Sequence, residues 1–343
     1  MNASNVSVVI PNYNHARYLP QCLDAVFAQQ PRADEVIVID DASTDDSVAV
    51  IESYRQRHPE LRLLRNSTNQ GVIAGMNRGL REARGEFVLF AAADDWVLPG
   101  MLSRSLELLQ RYPQAGFCSS LSLQGTDASE VRPLPTAIVL DRAGYISPAE
   151  VLRLLSKEDS WFLGNTLLLR RERIIEMGGY RPELASYCDG FLYQQIALRH
   201  GVCFIPQLLS VWRLLPAGYS ASTVIDVDKV ARIRDSALRL MTTEFSDLFP
   251  QRYVRCWQRR WSYVALNGAL RGGWNATVLE RLWPEACALD RALLSAAARA
   301  GTIGRVLAKA YLSVRLRLPD LPTLVRRRIR WLLHAGRYGA VSG

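Results

Sequence analysis

Three short polar clusters carry the side chains best suited to chemistry: Pro11-Asn12-Tyr13-Asn14, Asp40-Asp41 and Asp94-Asp95. Carboxylates accept hydrogen bonds from imino N–H and hydroxyl groups, proline fixes its turn, and a tyrosine ring can stack on a base. Each cluster ends a short apolar run, at residues 6–10, 36–39 and 87–91. Helix-like segments follow. Strand, polar loop and helix in repetition predict an open parallel sheet, in which ligands bind beyond the carboxyl ends of the strands. The clusters therefore belong at the sheet edge that holds nucleotides.

The elements that must position them read onward from there. Ser43 is the expected N-cap of a helix reaching about residue 57, with Asp45 in its first turn and an acid three positions after the cap. A strand at 61–65, a turn-rich loop at 66–71 and a helix at 72–83 follow. Gly75 and Gly79 on that helix permit close backbone approach. Pro99-Gly100 opens a further helix to about residue 112. From residue 116 the pattern becomes mixed. Strands are expected at 116–121, 166–170, 202–205 and 208–212, with a loop at 124–135 and helices at 171–177 and 189–200. After residue 222 only helices are expected, at 224–244, 253–271, 284–300 and 303–316, so a boundary falls near 222.

At 343 residues, half of them apolar, the chain is long enough for a full α/β domain plus a second module. Its six cysteines are scattered without a C-x-x-C pair, which argues against zinc or a disulfide framework and predicts a reducing, cytoplasmic setting. No signal-peptide pattern precedes the first strand, and no apolar stretch reaches the roughly 18 residues of a membrane span. The net charge of +9 is uneven: residues 301–343 hold nine bases against Asp320 alone, a net of +8. In residues 321–334 the arginines interleave with aliphatics and Trp331. That pattern suits an anionic membrane surface better than nucleic acid. A helix packed on its own domain, with solvated arginines, is the equal alternative.

Taken together, IPNYNHARYL (residues 10–19), VIVIDDASTDDS (36–47), NQGVIAGMNRGLREARGEFVLFAAADDW (69–96) and GGYRP followed by CDGFLYQQIALRHG (178–201) resemble the inverting glycosyltransferases of family 2. Four motifs in order, over roughly residues 5–222, carry the resemblance. It implies a GT-A fold: a Rossmann-like nucleotide-sugar-binding half at 1–100 with a mixed sheet, an acceptor-binding half at 101–222, and an all-helical C-terminal module at 223–343. It also implies a nucleoside-diphosphate sugar held by Pro11, Asn12, Tyr13, Asp40, Asp41, Asn69, Gly71, Asn77, Asp94 and Arg213, with Asp41 on the nucleobase. Asp95 would bind Mg²⁺ or Mn²⁺, which neutralises charge on the departing diphosphate. Asp189 would be the catalytic base that takes the acceptor's proton, with Glu183 the fallback. Its place at a helix N-terminus is expected to lower its pKa. The acceptor would be a cell-surface glycan or lipid-linked oligosaccharide, and the enzyme cytoplasmic or peripheral on the inner membrane face.

The sequence departs from the family pattern at Met76, where many relatives have Arg, at Ala92 in place of an earlier Asp, and at Cys188 in place of an acid. Leu214 or Leu215 replaces a histidine in the segment of Trp212, Arg213, Ser220 and Ser222. These changes keep open a non-catalytic sugar-nucleotide-binding or scaffold relative. A nucleotidyltransferase and a dehydrogenase are disfavoured because no glycine-rich fingerprint follows the first strand. A calcium loop from Asp41 to Glu52 fails because Asp46 stands where glycine is required.

Overall fold

Uninterrupted β-branched runs place the first strands at the centre of a sheet covered on both faces. The computed structural model describes residues 5–157, 161–215, 226–272, 276–326 and 328–329. The α/β part runs β1 (Val6–Asn12), α1 (Leu19–Phe27), β2 (Glu35–Asp40), α2 (Ser47–Arg55), β3 (Leu61–Arg65), α3 (Val72–Glu82), β4 (Phe87–Phe90), β5 (Trp96–Val97) and α4 (Met101–Arg111). It continues through β6 (Phe117–Gly125), β7 (Arg132–Pro133), β8 (Gly144–Ile146), α5 (Pro148–Lys157), β9 (Leu167–Arg170), α6 (Arg171–Glu176), α7 (Cys188–His200) and β10 (Val202–Arg213). Then come α8 (Val227–Thr242), α9 (Gln251–Gly272), α10 (Ala276–Leu282), α11 (Ala288–Arg299) and α12 (Gly301–Leu312).

The sheet order is β3-β2-β1-β4-β9-β6-β10-β5, with β7 on β6 and β8 on β10. β3, β2, β1 and β4 are parallel, β9 is antiparallel to both neighbours, and β6 pairs parallel with β10. This is the mixed-sheet GT-A arrangement, followed by a helical C-terminal region. Alternate residues of β1 and β2 feed two cores. Val8, Ile10, Val36 and Val38 pack with α1, α2 and α4, while Val9, Ile37 and Ile39 pack with α3. Gly79 brings α3 onto β1, since a Cβ there would lie 2.2 Å from Val9 Cγ1.

The second of these cores also takes in α7, α8 and the start of α9, through Phe191, Leu240, Phe249 and Trp257. A third core holds the rest of the helical module, including Leu266, Leu279, Leu294, Ala308 and Leu312. Arg260 of α9 ties the two parts together. It donates to the Leu155 and Ser156 carbonyls of α5 and pairs with the buried carboxylate of Asp320.

Several expectations differ in detail. The strands expected at 202–205 and 208–212 are one strand, β10, with register shifts between Phe204 and Ser210 where Pro206 cannot donate to a ladder. The loop expected at 124–135 contains the end of β6 and the two-residue β7. The helix expected at 284–300 is α11, beginning at Ala288, and α10 lies before it. α2 begins at Ser47, so Ser43 is not its cap; its hydroxyl is engaged elsewhere. The proposed boundary at 222, with Ser220 and Ser222, lies outside the described residues, as does the tail from 330 onward.

Candidate active site

The loops after β1 and β2 are stitched together by short polar side chains. Ser43 Oγ accepts from Asn12 Nδ2 at 3.2 Å and from the Asn14 N–H at 3.0 Å, while Asn14 Oδ1 accepts from the Thr44 N–H at 2.8 Å. Asp45 receives the Ala16 N–H at 2.9 Å. Asp40, fully buried, accepts from Asn12 Nδ2 and from the Ser43 N–H. This clasp fixes the backbone around Tyr13, which is 44 % exposed.

Beyond the strand ends lies a cleft of about 710 Å³, a size typical of small-ligand sites. Asp41, Asp94, Asp95 and Asp189 all line it, with Pro11, Asn12, Tyr13, Asn69 and Gly71. The acidic residues drawn from β2, the β4–β5 connection and α7 thus share one crevice. Asn12 Oδ1 and His15 Nδ1, both on its wall, are buried without a protein hydrogen-bond partner.

Asp41 organises the loop before α3. Its Oδ1 accepts from Asn66 Nδ2 at 2.7 Å and the Gln70 N–H at 2.8 Å, and its Oδ2 from the Gly71 N–H at 2.8 Å. Gly71 sits at φ 87°, which only glycine adopts without strain. Asn69 Oδ1 braces the same N–H at 3.1 Å.

Asp95 is 7 % exposed and lies beside Asp94, and Oδ1 accepts the Arg213 N–H at 2.8 Å. Burial, and then the adjacent Asp94 charge, push its carboxyl well above the usual carboxylate range; the Arg213 N–H and the Asn165 amide oppose this. A buried carboxylate beside a half-buried one forms a donor set that a hard divalent cation would satisfy. Mg²⁺-type sites commonly use one or two carboxylates and take their other ligands from phosphate and water. The pair therefore fits such an ion, although no group of three or more potential ligands occurs among the described residues.

Asp189 lies in the first turn of α7 and accepts the Gly190 N–H at 2.6 Å. The dipole argument predicts a lowered pKa, and the structure reverses it: burial raises the carboxyl, with the Gly190 N–H opposing. The segment leading to it is strained. Ala185, on the cleft wall, has φ 44° and ψ −121°, a conformation suited to glycine that costs on the order of 1–3 kcal/mol.

Three sequence assignments are placed differently. Asp40 lies beneath the cleft and is engaged in the loop clasp. Asn77 does not line it: Nδ2 donates to the Tyr180 carbonyl and Oδ1 accepts the Tyr180 N–H, holding α3 to the segment before α7. Arg213 does not line the cleft. Its guanidinium donates to the Asp94 and Thr126 carbonyls and to Gln21, and lies 4.8 Å from the ring centres of both Tyr18 and Trp96. Its cation supports the acidic pair from behind. Glu183, the fallback base, is exposed and off the cleft wall. Gly164, Asn165, Ser186 and Tyr193 line the cleft unanticipated. Gly164, Asn165 and Ser186 come from connections whose sequence carries no periodic signal, and Tyr193 from the buried middle of α7.

Residues 7–174, just under half of the chain, match the family model described as Glycosyl transferase family 2. Among relatives, an uncharacterized protein of Mycobacterium tuberculosis (strain CDC 1551 / Oshkosh) is 27 % identical over 81 % of this chain and 89 % of its own. The uncharacterized glycosyltransferase YibD of Escherichia coli (strain K12) is 40 % identical, over 29 % of each chain. Solved structures share the fold at low identity. TarS 1–349 of S. aureus in complex with UDP-GlcNAc has a TM-score of 0.55 at 20 % identity, covering 89 % of this chain and 91 % of its own. The mannosyltransferase PcManGT of Pyrobaculum calidifontis, in complex with GDP-Man and Mn²⁺, has 0.53 at 21 %, covering 92 % and 87 %.

Proposed function

We propose that this protein is an inverting glycosyltransferase that moves a sugar from a nucleoside-diphosphate sugar to an acceptor hydroxyl. The observation that carries the reading is the convergence of Asp41, Asp95 and Asp189 on one cleft. Pro11, Asn12, Tyr13, Asn69, Gly71 and Asp41 would hold the nucleoside, with the exposed Tyr13 ring free to stack on the base. Asn12 Oδ1 offers a buried acceptor to a ligand N–H or O–H. Asp94 and Asp95 would hold Mg²⁺ or Mn²⁺, which when bound supplies charge stabilisation for the departing diphosphate.

Asp189 takes the proton of the acceptor hydroxyl as its oxygen attacks the anomeric carbon. The bond from that carbon to the diphosphate oxygen breaks in the same displacement, so the configuration inverts and a nucleoside diphosphate leaves. A base held above the usual carboxylate range is better matched to this task than an ordinary aspartate. The division into a donor half at 1–100, an acceptor half at 101–222 and a helical module at 223–343 belongs to the same proposal. The six scattered cysteines, none in a C-x-x-C pair, support a reducing, cytoplasmic setting. A glycan or lipid-linked acceptor suits that side of the membrane.

The test is a thermal-shift panel of UDP-, GDP-, dTDP- and CMP-sugars with Mn²⁺, followed by transfer assays with the stabilising donor and Asp189→Asn as control. Stabilisation by one donor, with transfer lost in the variant, supports the reading. Donor binding with neither hydrolysis nor transfer would leave a sugar-nucleotide-binding protein instead.

A further inference from the structure

From Arg291 to the end of the sequence there are eleven bases and a single acid, Asp320. Asp320 is 4 % exposed and paired with Arg259 and Arg260, so this stretch shows solvent no accessible carboxylate among its described residues. Within it, α12 carries two apolar stripes. Gly304, Ala308 and Leu312 are buried in the module, and Gly304 brings α12 so near α11 that a Cβ would lie 1.7 Å from the Ala297 carbonyl oxygen. On the opposite side Ile303, Val306, Leu307 and, farther along, Val314 are 72, 65, 59 and 61 % exposed. The spacing of three and four residues puts Ile303, Val306 and Leu307 on one face of α12, and Val314 follows in the π-helical turn beyond it. The helical turns after Asp320 repeat the pattern with exposed Leu321, Val325 and Ile329 at four-residue intervals.

Packing on its own domain explains the first stripe and leaves the second uncovered. Exposed contiguous aliphatics rimmed by cations mark an interaction surface. We propose that this face of α12 and the segment after it docks on an anionic phospholipid bilayer. The aliphatic stripe enters the boundary between headgroups and acyl chains, and Lys309 and Arg326, at the edges of the exposed faces, reach lipid phosphates. No helix among the described residues is long and apolar enough to cross a membrane, so the helix lies on the surface. Charge selects the occupant. A second copy would bring like charges together, and a nucleic acid would leave the aliphatic stripe unused. The docking does not depend on the chemistry proposed for the cleft.

Truncation after residue 300 is a poor test, because Ala308, Leu312 and Leu316 belong to the module's core. Point changes at exposed positions are better. The full chain is sedimented with vesicles of phosphatidylcholine alone and of equimolar phosphatidylcholine and phosphatidylglycerol. Wild type should bind the anionic vesicles at least about tenfold more tightly, less so at high salt. Ile303→Ser with Leu307→Ser, and separately Lys309→Gln with Arg326→Gln, should each weaken binding about tenfold without changing the thermal unfolding midpoint. Equal binding to both vesicles, no binding, or binding indifferent to both pairs of changes overturns the proposal. So does a wild-type dimer, seen by light scattering, that the serine pair dissolves while vesicle binding is absent.

Discussion

The indole N–H of Trp257 on α9 donates to the hydroxyl of Tyr187 at 2.7 Å, and that hydroxyl donates to Gln194 Oε1 at 2.7 Å. Tyr187 is the residue from which α7 starts, two positions before Asp189. A helix of the C-terminal region thus steadies the approach to the proposed base. Trp257→Phe keeps a ring in the aromatic cluster and removes the donor. It should cost about 1 kcal/mol in a denaturant titration and lower kcat while leaving the donor KM unchanged. An unaltered kcat would assign the bond to stability alone.

Asp189→Asn should reduce transfer by about 10²- to 10⁴-fold without lowering the melting temperature. Burial raises the carboxyl, so its ionised form is the unfavourable one in the folded protein. The folded state keeps a proton where the unfolded chain has released it. This stabilising contribution is complete below the unfolded value, about 3.9, and disappears as pH rises through the folded value. The amide never ionises, so the variant should match or exceed wild-type stability at pH above both values. Wild-type transfer should fall as pH drops through the raised value, because a protonated acid cannot act as base. A pH–rate profile with no acid limb would remove Asp189 from the role.

Asp41→Ala strips acceptors from Asn66 and from the Gln70 and Gly71 N–H groups. The loop before α3 should loosen at a cost of about 1–3 kcal/mol, and calorimetry should show weaker nucleoside-diphosphate binding. Retained affinity with lost stability would confine Asp41 to bracing the loop.

Gly79→Ala would drive a methyl into Val9 Cγ1 and Ile39 Cδ1, at 2.2 and 2.8 Å from its ideal position. Overpacking of this kind typically costs about 1–3 kcal/mol. Chemical denaturation should report it; a neutral outcome would mean that α3 shifts outward freely.

Alternating strands and helices were readable from β1 to α4 because apolar runs, glycines and prolines punctuate them at element length. α5 was missed although Ser147 Oγ accepts the Glu150 N–H at its start and Pro148 opens it, because that signal is confined to its first turn. β5, β7 and β8 are two or three residues each, too short to show periodicity. Asp41, Asp95 and Asp189 reach the cleft from positions just past strands or at the start of α7, which the neighbouring residues make readable. The roles of Asn77, Arg213 and Asp40 were not readable. An amide or guanidinium beside a cleft has the same sequence signature whether it faces the ligand or holds the wall. Only the partners tell: the Tyr180 backbone for Asn77, the Asp94 and Thr126 carbonyls for Arg213, and the β1 loop for Asp40.

Phe191 on α7 stacks on Phe249 and meets Phe245 edge-on, with ring centres 5.6 and 6.1 Å apart. A shortened chain ending at residue 222 would lose both partners and leave the back of α7 wet. Expression trials seeking a minimal enzyme should therefore retain α8 and α9. A fragment shorn of them is a candidate for inclusion bodies rather than an independent unit.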